Sequence, residues 1–465
     1  MSVARPGVGT KETERDVMRS EYGVRSGSSA DARSTARARW RRISRSAWAV
    51  AALVGLCYGL WLAAVVPVSN GGLDFVEIGQ HYIARSHASP TIALDPSYWR
   101  QPARLPALEG ANSKNAVGYD GQFYYYIALD PRDARYYMDN AVYRYTRVVY
   151  PLAARLLALG QPSLIPYTLI AVNWLAIVAG TLAVAAWLKR RRLSPWLALV
   201  YGFYPGLFIA LRFDLTEALS YAFVALAVLL LDGDRPWRAV WSGLAFALAA
   251  LTRETAIIFP VVYGLALLKR PAPDSTRNQS IARGHGHGRV AAFALLGLAL
   301  IPFALYQGFL RVWLRSLSGQ QPVSSLTLRP FGGLIAARPW HVIQKQEVLT
   351  TVVPAILCTG IGLWTLWRGV GSAEVWALLA NVYVGVVMVT VLSYDALFAT
   401  DRVATGVALA ALYCLPTFDR ALRGNRRWLW VCGALWLALV PLWLVNGVAL
   451  NWLHAFHHSV LRPLG

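Results

Sequence analysis

Apolar runs of about 15 to 25 residues recur along this chain, a length that spans a bilayer as a helix. Most of them stop at a basic cluster or a short polar turn. In lipid a backbone must satisfy its own N–H and C=O groups, which helices do within one segment. Composition agrees: the chain is 56% hydrophobic with mean hydropathy +0.41, and only 15% of it is charged. A soluble protein carries about 25% charged residues. The sequence therefore predicts an all-α polytopic membrane protein of about 11 transmembrane helices.

The formal net charge is +21 over 465 residues. Its Arg and Lys residues cluster between the apolar runs, which is the positive-inside pattern rather than the footprint of a nucleic-acid binder. The partner implied is the lipid bilayer, with no nucleic acid. Cys57, Cys358, Cys414 and Cys432 lie in or beside apolar segments without CxxC or metal spacing, so they read as small core- or lipid-facing residues. Residues 1–46 read as a disordered basic cytoplasmic tail, and residues 47–450 as the membrane domain.

With Arg37 to Arg45 inside, the first helix (about 47–66) leads out to a long loop, 67–162. That loop predicts two helical pieces. One is Leu73 to Ser86. The other is Tyr143 to Leu159, an interfacial helix with its arginine heads in water. Lys189-Arg190-Arg191-Arg192 marks the cytoplasmic end of the second span. Residues 195–211 and 215–231 read as spans three and four. Two short apolar halves within 239–268 flank Thr252-Arg253-Glu254-Thr255, as two tilted helices or as a hairpin that does not fully cross. The Gly-His repeat at 284–288 reads as a loop. A second outer loop, 311–347, is basic, which suits lipid phosphate or anionic headgroups. The tail 451–465 is expected outside.

One stretch of the first outer loop stands apart: Gly118-Tyr119-Asp120-Gly121-Gln122-Phe123-Tyr124-Tyr125-Tyr126. Tyrosines belong at a membrane interface and an aspartate does not. The plain alternative is a turn with glycine at positive φ. On the same topology Asp74, Arg212, Asp214, Glu217, Arg253, Glu254, Arg329, Asp395, Asp401 and Arg402 also fall at outer helix ends or in outer loops. Charges at membrane depth are costly and face a cavity or a partner, so this many on one side argue for a site. No P-loop, HExxH or Rossmann fingerprint is present. A carboxylate could act as general base on a hydroxyl, and arginines could hold a phosphate leaving group.

The Tyr119-Asp120-Gly121-Gln122-Phe123-Tyr124-Tyr125 string, the later Val149-Tyr150-Pro151-Leu152 and the Leu251-Thr252-Arg253 turn resemble the GT-C superfamily of integral membrane glycosyltransferases. The resemblance runs from about residue 47 to 450. It is to the GPI-mannosyltransferase-like branch and to bacterial proteins of cell-surface glycopolymer formation. It implies transfer of a sugar from a polyprenyl-phosphate donor to a glycan or lipid acceptor at the extracytoplasmic face of the plasma membrane. It also implies an outer-loop acid as base, Asp120 first and Asp74 as its rival. Tyr119, Gln122, Tyr124, Arg212, Asp214, Glu217, Arg253, Glu254, Arg329, Asp401 and Arg402 are the expected substrate-binding set, with Arg253 and Arg329 on the donor phosphate. Some relatives use a divalent metal such as Mg2+ or Mn2+ and others none, and this stays open. The competing functional readings are a transporter or flippase of lipid-linked sugars, and a structural envelope subunit.

Overall fold

The computed structural model describes residues 28–83, 92, 117–232, 236–269, 284–315, 326–338, 342–395 and 399–437. The chain up to residue 27, Asp95, Glu109, and everything from residue 438 onward, including the expected tail at 451–465, lie outside the described residues. Within them the protein is all-helical, apart from one isolated bridge between Leu326 and Val389.

α1 (Ser28–Val65) begins well ahead of the expected residue 47. It turns Val50, Val54, Tyr58, Trp61 and Val65 inward at helical spacing, while Leu53, Leu56 and Leu60 face out. α1 packs against α5 (Ile165–Arg190), which opens on a proline and closes on Lys189 and Arg190, as the helix dipole favours. Between them in the chain lies the first long loop, whose longer helices among the described residues are α2 (Gly121–Leu129), α3 (Ala141–Tyr145) and α4 (Val149–Leu157). Then come α6 (Pro205–Arg212), α7 (Glu217–Leu231), α8 (Pro236–Thr252), α9 (Ile258–Leu268) and α10 (Gly284–Trp313). α7 packs on both α5 and α8, and α8 on α10. The second half adds α11 (Val353–Trp367), α12 (Ala373–Val382), α13 (Ala399–Val403), α14 (Thr405–Ala421) and α15 (Arg427–Leu437).

Among the described residues four helices are long and apolar enough to cross a membrane: Arg45–Val68, Pro162–Arg190, Arg289–Trp313 and Lys345–Trp367. Other expected spans appear as shorter apolar helices, among them Glu217–Leu231, Trp237–Thr252, Glu254–Leu268 and Ala373–Val387, and the last expected span runs beyond the described residues; several of the apolar runs are interrupted. The run 195–211 breaks at Phe203 and restarts at Pro205, whose ring and missing N–H prevent a continuous helix. Two π-turns, Val348–Val352 and Tyr383–Val387, interrupt the later runs. The halves of 239–268 form two helices, α8 and α9, joined at Arg253 through a 3-10 turn. The Gly-His repeat starts α10 rather than forming a loop.

Both helical pieces expected in the first loop are broken by contacts distant in sequence. Leu73–Val76 and Gln80–Ile83 are separate turns, with Glu77 at φ 49° between them. The Glu77 carbonyl accepts from the Tyr119 amide at 3.0 Å, and Gly79 N–H donates to Gln122 Oε1 at 3.0 Å. These bonds replace the ones a continuing helix would make. Residues 143–159 split into α3 and α4, and Pro151 falls in the first turn of α4, where its missing N–H costs nothing.

Candidate active site

α5 and α7 run antiparallel: Arg190 bonds the Leu229 carbonyl at one end, and Asn173 bonds the Leu215 carbonyl towards the other. The end away from Lys189–Arg192 gathers the start of α7, the end of α8, and the first-loop helices. There α2 presents Asp120 at its N-cap. Gly121 is not at positive φ, so the simple turn expectation fails; Gly118 takes that role at φ 71°. Gly121 is glycine because the Phe213 carbonyl and the Val76 carbonyl lie where a Cβ would sit. Gln122 is fully buried and clasps the loop together, donating to the Val117 carbonyl while accepting from Gly79.

Both oxygens of Asp120 are held. Arg144 Nη1 lies 2.8 Å from Oδ1, and Arg402 Nη2 lies 2.9 Å from Oδ2. Arg144 also forks onto Asp139 at 2.8 and 2.6 Å. Arg402 reaches on to Glu217 Oε1 at 2.9 Å and donates to the Tyr119 hydroxyl at 3.2 Å. Glu217 is buried and takes Arg253 on the same oxygen. Beside Arg253 in the chain, Glu254 receives the Arg147 fork at 3.0 and 2.7 Å. Arg147 also donates to the hydroxyls of Tyr124 and Tyr143. The result is an alternating arc of four carboxylates and four guanidiniums drawn from α2, α3, α7, α13 and the α8–α9 turn.

Asp120 shows what this arc does electrostatically. Burial by itself raises its pKa, but Arg144, Arg402 and Arg147 outweigh burial and hold the carboxyl well below the usual carboxylate range. Buried ion pairs roughly break even against apolar packing, whereas removing one partner is expensive. Such an arc in an apolar body is therefore better explained by a site than by stability.

The other expected residues divide into supports and outliers. Asp74 is buried, with Asn70 Nδ2 on its Oδ1 at 2.7 Å, while its carbonyl accepts from Arg212 at 2.8 Å. Arg212 lies 3.6 Å from Glu77. Asp214 sits fully buried at φ 50°, with Tyr150, the tyrosine of the Tyr-Pro-Leu segment, 3.4 Å away. Tyr150 in turn accepts from Asn173 at 2.9 Å. These groups shape the loop under Asp120 rather than line its open side. Asp401 faces away from Asp120: it accepts from Thr351 at 2.7 Å and Thr350 at 3.4 Å of the first π-turn, next to Glu347. Arg329 sits exposed on the segment paired with Met388 and Val387 and joins no ion pair of the arc among the described residues.

Arg144 and Arg147 are what sequence reading missed. They were expected in water, yet both are buried and ion-paired, because Asp120, Asp139 and Glu254 supply the charges that make burial tolerable. Their i, i+3 spacing beside Asp139 was the available signal. Among the described residues no three His, Cys, Asp or Glu side chains are grouped to hold a metal.

A family model, glycosyltransferase family 87, matches residues 148–393, just over half of the chain. The chain belongs to glycosyltransferase family 87. This is a GT-C-type membrane family, in agreement with the resemblance carried by the sequence motifs. No curated protein and no solved structure matches the chain. In this family 87 glycosyltransferase, Asp120, Arg144, Arg147 and Arg402 fall outside the matched region, while Glu217, Arg253 and Glu254 fall inside it. The arc thus joins the matched segment to its two flanks.

Proposed function

We propose that the protein transfers a sugar from a polyprenyl-phosphate donor to a hydroxyl of a glycan or lipid acceptor at the extracytoplasmic face. The observation that carries this is Asp120: a carboxylate about one-fifth exposed (20%) and gripped by two arginines, at the end of the bundle away from the basic Lys189–Arg192 turn. A membrane-embedded donor with its phosphate at the interface suits a site held at the helix ends, and the positive-inside pattern of the basic Lys189–Arg192 turn supports an outer position for that site.

In this mechanism Asp120 takes the proton of the acceptor hydroxyl. The acceptor oxygen attacks the anomeric carbon from the face opposite the phosphate. The bond between that carbon and the phosphate oxygen breaks, and the polyprenyl phosphate leaves with the electron pair. Arg402 is the least buried guanidinium of the arc, 13% exposed, and is the one best placed for the phosphate. A phosphate that draws Arg402 towards itself leaves Asp120 with one guanidinium fewer and makes it more basic. Arg253 supports this from behind Glu217, and Arg329 meets the donor from the exposed loop. Asp74 remains the rival base, with Arg212 and Asp214 shaping the site.

The test is transfer by the purified protein in nanodiscs, with polyprenyl-phosphate sugars compared with nucleotide sugars. Transfer from the lipid donor alone supports the proposal. Transfer from nucleotide sugars alone overturns it, and donor binding without transfer favours the transporter reading.

A further inference from the structure

Glu254 is the most open carboxylate of the arc, 31% exposed, yet it is rigidly held. The Arg147 fork meets it side-on, Nε to Oε2 and Nη2 to Oε1, so one lone pair on each oxygen is used. An ionised carboxylate has about four acceptor positions, which leaves the outward pair for another donor. Arg147 cannot follow solvent, because it is itself buried and bonded to the hydroxyls of Tyr124 and Tyr143. Its guanidinium also lies over the Tyr143 ring at 4.5 Å. Glu254 is close to the reacting end of the site. Tyr124 lies one helical turn from Asp120 on α2, so the two share a face. Arg147 bonds both Glu254 and the Tyr124 hydroxyl, and it is near enough to Asp120 to help hold that carboxyl ionised.

We propose that Glu254 is a sugar-binding, specificity-determining residue: its outward oxygens accept two neighbouring hydroxyls of the pyranose that reacts at Asp120, with Tyr143 beside them. This rests on the glycosyl-transfer reading above. A fixed carboxylate suits the task because each hydroxyl is a donor, and a bond to an ionised acceptor is roughly twice as strong as a neutral one. A site built for hydroxyls discriminates strongly against a sugar that lacks one, because its polar group is left unpaired. Donor and acceptor sugars share this chemistry, and the two are separated by which deoxy series responds.

The experiment measures transfer in nanodiscs from synthetic polyprenyl-phosphate mannose, glucose and galactose. Each is compared with its single-deoxy analogues, using wild type, Glu254→Gln and Glu254→Asp, and a matching deoxy series is made for the acceptor glycoside. For each of two neighbouring hydroxyls, deletion should lower wild-type kcat/KM by about 10- to 100-fold. The same deletion should have little effect in Glu254→Gln, since the group it addressed is already altered. A donor series that responds assigns Glu254 to the donor sugar, and an acceptor series that responds assigns it to the acceptor. Glu254→Asp keeps the charge that Arg147 pairs with but draws the acceptor oxygens back by one methylene, so it should also reduce the penalty and keeps the test decisive if Glu254→Gln folds poorly. Equal deoxy penalties in wild type and Glu254→Gln overturn the subsite while leaving glycosyl transfer standing. Absence of wild-type transfer from every lipid donor removes the reading on which it depends.

Discussion

Arg144→Met offers the sharpest energetic test of the arc. Arg144 makes one bond to Asp120 at 2.8 Å and two to Asp139 at 2.8 and 2.6 Å. It also lies over the Phe123 ring at 4.2 Å. Removing one partner of a fully buried pair costs about 3–5 kcal/mol. Here the stranded carboxylates are 20% and 21% exposed, so water recovers part of the loss, and Asp120 keeps Arg402. The expected destabilisation is therefore about 2–3 kcal/mol at neutral pH. Its pH dependence follows from Asp120, whose folded-state pKa lies below the unfolded one despite burial, because Arg144, Arg402 and Arg147 prevail. Such a group stabilises the fold above its unfolded pKa and loses that contribution as pH falls towards the folded value. The gap between wild type and variant should be full at about pH 7 and shrink below about pH 4. Reversible unfolding in mixed micelles at several pH values measures it. A loss under about 1 kcal/mol, or one of equal size at about pH 3 and pH 7, would refute the reasoning.

Two further outcomes follow from particular contacts. Gly121→Ala should destabilise by about 1–3 kcal/mol and lower transfer, since the new methyl meets the Phe213 carbonyl and pushes Asp120 from its arginines; unfolding and transfer assays on one preparation check both. Burial raises the Asp401 carboxyl to about 6, although bonds from Thr351 and Thr350 oppose the rise. Its proton is held more tightly folded than unfolded, so wild-type stability should fall as pH rises from about 4 to 6, and Asp401→Asn should flatten that slope in a melting series.

The apolar runs made the helical class legible, because twenty apolar residues have few alternatives in lipid. The Asp120 string was legible as chemistry for the same reason: an aspartate among interfacial tyrosines needs a partner. What that partner is could not be read. Arg402 lies 282 positions from Asp120, and only packing of α13 against α6 brings it near. Arg144 and Arg147 looked like snorkelling interfacial arginines, a pattern that hides burial when the acids paired with them are elsewhere in the chain. The breaks at Glu77 and Pro205 escaped for related reasons. Glu77 is held by the distant Tyr119, and Pro205 was read as lying within an otherwise unbroken apolar run.

The central claim is that Asp120 is the base. The direct measurement is single-turnover transfer from a synthetic polyprenyl-phosphate sugar in nanodiscs, with wild type beside Asp120→Asn and Asp74→Asn. The account predicts a fall of about 100-fold or more for Asp120→Asn, in the range of a lost general base, with donor binding retained and Asp74→Asn less affected. Near-normal transfer by folded Asp120→Asn, or loss confined to Asp74→Asn, would contradict it.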